Sequence, residues 1–194
     1  MFKNVIFLLF ISVQLILANS DLAFRIMATA NVHNETDPCG WKKKPLGGLA
    51  RKATVLDEAS IETDNFFVVD AGNLFFKAAT IPDAINLEIS QINAEIILES
   101  FNSMGCNAFS PGSFDFAAGL SYLQKLEKMS NFPFVSCNIL DNNNNLLFKP
   151  YVIEKVENYN VAFIGLASSF DSKDVVIGSP IEYLLRVLRD LEGK

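Results

Sequence analysis

Phe66-Phe67-Val68-Val69 is a run of four apolar residues without polar alternation, cut off by Asp70-Ala71-Gly72-Asn73. Alternation would mark a strand with one wet face. A continuous apolar run bounded by turn residues instead suits a strand shielded on both faces of a parallel sheet. Parallel strands cannot be joined by tight hairpins, so helices must carry the connections. Helical patterns do flank this run. Upstream, Leu46-Gly47-Gly48 opens a helix to about Ser60, with Leu49, Ala53, Leu56 and Ala59 near one face. Downstream, Ile85, Ile89, Ile92 and Ile96 recur at i, i+4, i+7 and i+11, which predicts a helix over Pro82–Met104 with that stripe in the core. Pro82 fits its first turn, Asp83 complements the positive end of the dipole, and Met104-Gly105 is a stop.

The remaining chain continues the alternation. Ala23–Ala28 reads as a first strand, Asn107–Ser110 as a short one closed by Pro111-Gly112, and Ala117–Met129 as a second strong helix. Pro133–Cys137 is another short strand, and Asp141–Asn145 is a surface turn by composition. Tyr151–Val156 and Asn160–Leu166 are two strands joined at Glu157-Asn158-Tyr159, and Ile181–Leu191 is a last helix. The order predicts a layered α/β domain. The 194 residues, 50% hydrophobic, suffice for one such core. In open α/β sheets ligands bind beyond the carboxyl ends of the strands, here Thr29–Glu35, Asp70–Phe75, Ser110–Ala117 and Cys137–Leu140.

Residues 1–20 stand apart. Lys3 precedes a short apolar stretch from Val5 to Ala18, and Ala18-Asn19-Ser20 supplies small residues for a cut before Asp21. That is the layout of a secretory signal peptide, with an uncleaved anchor as the alternative; residues 21–194 would then be an exported domain. No later segment is a membrane span. The net charge of −6 argues against a nucleic-acid partner, since the only basic run is Lys42-Lys43-Lys44 beside a Pro and two Gly. Three cysteines cannot all pair within one chain, and no CxxC spacing suggests a zinc knuckle. Cys106 and Cys137 lie beside predicted strands and read as small buried hydrophobes, whereas Cys39 lies in a polar loop.

Taken in order, the strand-end loops carry a recognisable skeleton. Met27-Ala28-Thr29-Ala30-Asn31-Val32-His33 resembles a strand ending in Thr-Asn-Asp-x-His, and Gly47-Gly48-Leu49-Ala50-Arg51-Lys52-Ala53-Thr54 is nearly GGLARRAT. Val68–Asn73 resembles a strand ending in Asp-Ala-Gly-Asp. Phe101–Gly105 followed by Gly112-Ser113-Phe114-Asp115-Phe116 lines up with Asn-x-x-Gly and then Gly-Asn-His-Glu-Phe. Phe132–Ile139 resembles FPxxSANI, and Lys149-Pro150-Tyr151 with Val161–Leu166 resembles KPY and VGVIGL. Together these motifs resemble the N-terminal domain of the 5′-nucleotidase branch of the calcineurin-like metallophosphoesterases. The resemblance covers essentially the whole chain after the leader. It implies a metallophosphoesterase-like layered sheet with flanking helices, incomplete at the C-terminus. Pro38-Cys39-Gly40-Trp41 is similar to a subgroup of exported relatives with Cys-Gly-Cys, Trp41 replacing the second Cys.

The resemblance also implies a site. In the family, two divalent metals activate water and clamp a phosphate ester. Two double charges about 3.5–4 Å apart repel by roughly 18 kcal/mol even at an effective dielectric near 20, so a bridging carboxylate is essential. Here Asn31 stands where the first Asp belongs, Asn73 where the bridging Asp belongs, Ser113 where a ligand Asn belongs, and Phe114 at the catalytic His. Only His33 keeps its type among these positions. An amide removes a negative charge at each replaced carboxylate, and a phenyl ring can neither donate a hydrogen bond nor carry a proton. Further family histidines would follow Lys194.

The residues leave three functions in view: a phosphoesterase fold without hydrolase activity, a divergent active phosphoesterase acting on nucleotides or other phosphomonoesters, and an exported interaction module meeting its partner through Cys39 and Trp41. Fold alone does not decide among them, and the site residues favour the first, a secreted pseudoenzyme with at most one weak metal at His33. Asp70 and Asp115 are the nearest acids that could rescue a metal. The resemblance makes Asp70 a loop-orienting residue and Asp115 the Glu after the family His, which is not a ligand. Arg51 could meet an anion but reads as a helix-surface residue.

Overall fold

In the computed structural model the described residues are 24–38, 40, 46–63 and 65–194. The leader, Cys39, Trp41 and Lys42–Lys44 lie outside them. Strand β1 (Arg25–Thr29), helix α1 (Leu49–Ser60), strand β2 (Phe66–Asp70), helix α2 (Ala84–Ser103) and strand β3 (Ala108–Phe109) form a parallel sheet with crossover helices, in the order β1-β2-β3. Thr29 lies opposite Asp70 and Val69 opposite Ala108, so β2 is central. Phe67, Val68 and Asp70 are buried, which explains why an unalternating apolar run was needed there. Single parallel bridges from Phe109 to Phe134 and from Val135 to Lys149 carry the sheet further. The strand predicted over Pro133–Cys137 is therefore only a bridged segment.

Helix α2 is where sequence periodicity misleads. The isoleucine stripe predicted to be core is solvent-exposed: Ile85 at 73%, Ile89 at 53%, Ile92 at 54% and Ile96 at 45%. The buried residues are Ala94, Ile97, Leu98 and Phe101. At 100° per residue the two stripes lie on opposite sides of the helix, so α2 is apolar on both. Polar anchors select the inner face. Buried Asn34 donates through Nδ2 to the carbonyls of Phe75 (2.6 Å) and Ser90 (3.0 Å), and accepts from Asn93 Nδ2. Tyr122 Oη donates to the Gln91 carbonyl at 2.9 Å. Turning the isoleucines inward would strand these groups. The ends of α2 follow local rules: Asp83 is the N-cap and accepts from Asn86 N. The amide of Gly105 bonds to Asn102 and that of Cys106 to Phe101, a Schellman stop.

The helix predicted over Ala117–Met129 is split. Ser113–Phe116 is a 3₁₀ turn, and α3 (Leu120–Met129) starts only after Gly119, whose φ of 86° breaks the chain direction. Strands β4 (Ile139–Leu140) and β7 (Val176–Ile177) form a small antiparallel pair too short to show a period. Strands β5 (Tyr151–Val156) and β6 (Tyr159–Ile164) form a hairpin around Glu157-Asn158, with Glu157 at φ 53°. β6 ends before Gly165, where any Cβ would sit 2.0 Å from the Val135 carbonyl oxygen. Helix α4 (Pro180–Leu191) follows. The core between sheet and helices is rich in phenylalanine, with Phe109 meeting Phe134 edge-on at 4.7 Å and Phe75 at 5.2 Å. Cys106 and Cys137 are buried free thiols, as expected, and burial pushes the Cys106 thiol up to about 12. Among the described residues no helix is long and apolar enough to cross a membrane.

Candidate functional site

Three loops at the carboxyl ends of β1, β2 and β3 meet. The loop after β1 runs beside the loop after β2 like a short ladder: Asn31 N donates to Gly72 O (2.8 Å), His33 N to Asn73 O (2.9 Å) and Asn34 N to Leu74 O (3.0 Å). To make these bonds, Asn31, His33, Asn34 and Asn73 all adopt positive φ, between 53° and 63°. Asn and His tolerate that region better than branched residues do, but each such position stores strain that the surroundings must hold. The third loop packs so closely that a Cβ on Gly72 would lie 2.5 Å from Gly112 N, and one on Gly112 would lie 2.5 Å from Asn73 Oδ1. Only glycine fits at either position.

Asp115 fastens the arrangement. Its fully buried carboxylate accepts from Asn73 N, Leu74 N and Gly112 N at 2.8 Å and from Phe75 N at 2.9 Å. Burial pushes its pKa up to about 7, against the pull of these amides. Asp70 accepts from Thr29 Oγ1 (2.6 Å) and Gly72 N (2.9 Å), and burial raises it too. Asp115 is thus turned to the backbone, and Asp70 to the Thr29 hydroxyl and the Gly72 amide, rather than to an open centre.

The carboxylate positions of the resemblance hold a different bond. Asn73 Nδ2 donates to Asn31 Oδ1 at 2.9 Å, while Asn73 Oδ1 accepts from Phe114 N at 3.0 Å. Phe114 N can only donate, so the atom facing it must be the oxygen and the amide is fixed in this orientation. Asn31 is exposed and Asn73 half-buried. The His33 ring lies 5.3 Å from the Phe114 ring, and its Nε2 is buried without a hydrogen-bond partner. Ser110 Oγ is likewise buried and unpartnered. Ser113, in the 3₁₀ turn, borders a groove of about 640 Å³ with Phe116, Phe170 and Lys173.

These side chains can be tested against the metal pair that the fold implies. They offer one imidazole nitrogen and otherwise neutral amide, hydroxyl and phenyl groups. The Asn73 oxygen, at the position that the resemblance gives to the bridge, already accepts from Phe114 N. Among the described residues no group of three or more His, Cys, Asp or Glu could hold a metal ion. The donor set does not fit two divalent cations, because nothing between them would offset their repulsion.

Sequence reading missed Lys52. Its Nζ donates to Thr29 Oγ1 at 2.8 Å and lies 3.6 Å from the centre of the Phe101 ring. Burial lowers its pKa, and the charge of Asp70 opposes that shift. The signal was present, since Lys52 falls on the same helical face as Leu49, Leu56 and Ala59. Arg51, the cation singled out from sequence, is exposed and borders a shallow cavity of about 300 Å³ with Met27 and Gly48.

The parallel sheet with its converging strand-end loops defines a phosphoesterase-like domain of the calcineurin-like fold. Solved structures of that fold match over most of the chain. A 5′-nucleotidase precursor from Thermus thermophilus aligns with a TM-score of 0.72 at 23% identity, covering 86% of this chain and 34% of its own. The calcineurin-like phosphoesterase YfkN from Bacillus subtilis aligns with a TM-score of 0.68 at 20% identity, over 86% of this chain and 57% of its own. No protein-family model matches the chain. In sequence the chain is a divergent relative of the 5′-nucleotidase family, over the N-terminal portion of those proteins. It is 29% identical over 136 residues to a 2′,3′-cyclic-nucleotide 2′-phosphodiesterase/3′-nucleotidase of Yersinia enterocolitica, covering 66% of this chain and 20% of the relative. It is also 29% identical over 144 residues to the snake venom 5′-nucleotidase of Gloydius brevicauda, covering 71% and 23%. The aligned part is about a fifth of the length of these curated relatives.

Proposed function

We propose that this chain is an exported, phosphoesterase-like domain that has exchanged its metal centre for an asparagine pair and does not hydrolyse phosphate esters. The hydrogen bond from Asn73 Nδ2 to Asn31 Oδ1 carries the reading. Two carboxylates at this separation would need a cation between them, whereas two amides satisfy each other and need none. Phe114 supports the same view, because it places an aromatic ring against His33 where an acid–base group would have to act. The unpartnered His33 Nε2 favours a narrower second reading, one weakly held divalent ion without turnover.

The test is metal content and turnover of the purified protein. Under the first reading it retains no stoichiometric divalent metal, and hydrolysis of nucleotides and nitrophenyl phosphate stays at the metal-only background. Two bound equivalents with turnover would reject both readings. Asn31→Asp, Asn73→Asp, Ser113→Asn and Phe114→His together should restore metal binding before any catalysis. Export is checked separately, by sequencing the mature N-terminus, which should begin near Asp21.

A further inference from the structure

Lys52 occupies a place that suits a neutral amine better than an ammonium ion. Its Nζ donates to Thr29 Oγ1 at 2.8 Å and sits 3.6 Å from the centre of the buried Phe101 ring. Among the described residues Thr29 is its only hydrogen-bond acceptor. An ammonium carries three donors. A neutral amine can donate to Thr29, set its second N–H on the ring face and keep a lone pair. The Asp70 carboxylate reaches Lys52 through Thr29, whose hydroxyl donates to Asp70 Oδ2 at 2.6 Å. Burial outweighs that charge and lowers the pKa of the amine.

The residue type matters as much as the place. Gly47–Thr54 resembles GGLARRAT, and in that stretch an arginine stands where this chain has Lys52. A guanidinium stays charged in a protein and is no nucleophile. A desolvated lysine can lose its proton and become one. Lys52 and Thr29 also line one cavity of about 300 Å³ between β1 and α1. Met27, Ala28, Val55 and Leu56 give that cavity apolar walls.

We propose that Lys52 is a nucleophilic amine that takes up apolar aldehydes as an imine in the cavity between β1 and α1. An alkyl chain suits the walls, and a carbonyl carbon is what an unprotonated amine attacks without a co-reactant. The Nζ lone pair forms the C–N bond while the carbonyl π pair moves to oxygen, and one amine proton passes to that oxygen. The C–O bond then breaks as C=N forms, and water leaves with the carbonyl oxygen and both amine protons. Nothing is oxidised or reduced. The Thr29 hydroxyl, bonded to Lys52 and to Asp70, is placed to pass those protons.

Octanal with cyanoborohydride, which traps an imine as a secondary amine, tests this on the full chain by peptide mass mapping. Lys52 should be alkylated at least about tenfold faster than exposed Lys128, Lys155 and Lys173. Glyceraldehyde, a polar aldehyde, should show no such preference. Lys52→Arg should remove the fast site. Val55→Trp should remove it too, because it fills the cavity from an exposed position while the lysine is kept. An unfolding midpoint matching that of the unmodified chain shows that each variant is folded. Alkylation of Lys52 no faster than that of the exposed lysines overturns the proposal. So does an equal preference with glyceraldehyde, or fast alkylation that survives Val55→Trp, since the cavity would then not be holding the alkyl chain.

Discussion

At the scale of single residues, the site is governed by where hydrogen bonds can go. Asn73→Asp keeps the acceptor for Phe114 N, and exposed Asn31 has to turn its amide over so that Nδ2 donates to the new carboxylate. The variant should lose about 1 kcal/mol or less, measured by urea denaturation. Adding Asn31→Asp should deepen the loss, and divalent metal should then return part of it, because a cation binding only the folded state raises stability by mass action. A thermal-shift titration with Mn²⁺ reads this without any assay of activity; no metal-dependent shift in the double variant would contradict it. Asp115→Ala should be costlier, on the order of 3 kcal/mol or more, since it leaves buried amides on two loops without an acceptor. That Asn31, Asn73, Ser113 and Phe114 stand on the loops after β1, β2 and β3 was legible in sequence once the loops were recognised. The bond between the two asparagines was not, because it depends on positive φ at residues that any loop would accommodate.

At the scale of elements, the contrast between the two faces of α2 gives the clearest test. Phe101→Ala should cost about 3–5 kcal/mol and Ile97→Ala about 2–5 kcal/mol, since each would open a cavity in a closed core. Ile89→Ala should stay within about 0.5 kcal/mol under dilute conditions, because Ile89 is exposed in the single chain. Equilibrium unfolding in urea separates these outcomes, and a large loss from Ile89→Ala would place that stripe in the core after all. That α2 is a helix was legible in its period, its cap and its stop. Which of its two apolar faces turns inward was not legible, because both repeat with the helical period. The difference lies in Asn34 and Tyr122, which reach Ser90, Asn93 and Gln91 from distant parts of the chain. Likewise β3 and the β4–β7 pair exist only through their partners, since two residues carry no period of their own.

At the scale of the whole molecule, buried Asp115 links stability to pH. Its pKa is raised from the ordinary carboxylate value to about 7 in the folded state, so between about pH 4 and pH 7 the folded chain binds more protons than the unfolded chain. The contribution of Asp115 to the unfolding free energy should therefore fall as pH rises through that window and level off above it, against the opposite contributions of Glu62, Asp83, Glu95, Asp141 and Asp190, whose pKa values are lowered. Asp115→Asn should make the slope of stability against pH more positive than that of the unmodified chain, as checked by urea denaturation at pH 4.5, 5.5, 6.5 and 7.5. A less positive slope in the variant would mean that the four amide donors outweigh burial. Local pattern was enough for the alternation of strands and helices, for the parallel central strand at Phe66–Val69, and for the phosphoesterase-like order of the loops. These features rest on period, caps and turn residues, which act over a few positions. Folding was needed before Asn31 and Asn73 bonded to each other, before Asp70 met Thr29 and Gly72 and Asp115 met four loop amides, and before Lys52 was drawn between Thr29 and Phe101 while four isoleucines stayed outside. Each of those outcomes depends on which distant groups compete for the same buried donor, acceptor or surface, and that competition exists only in the folded chain.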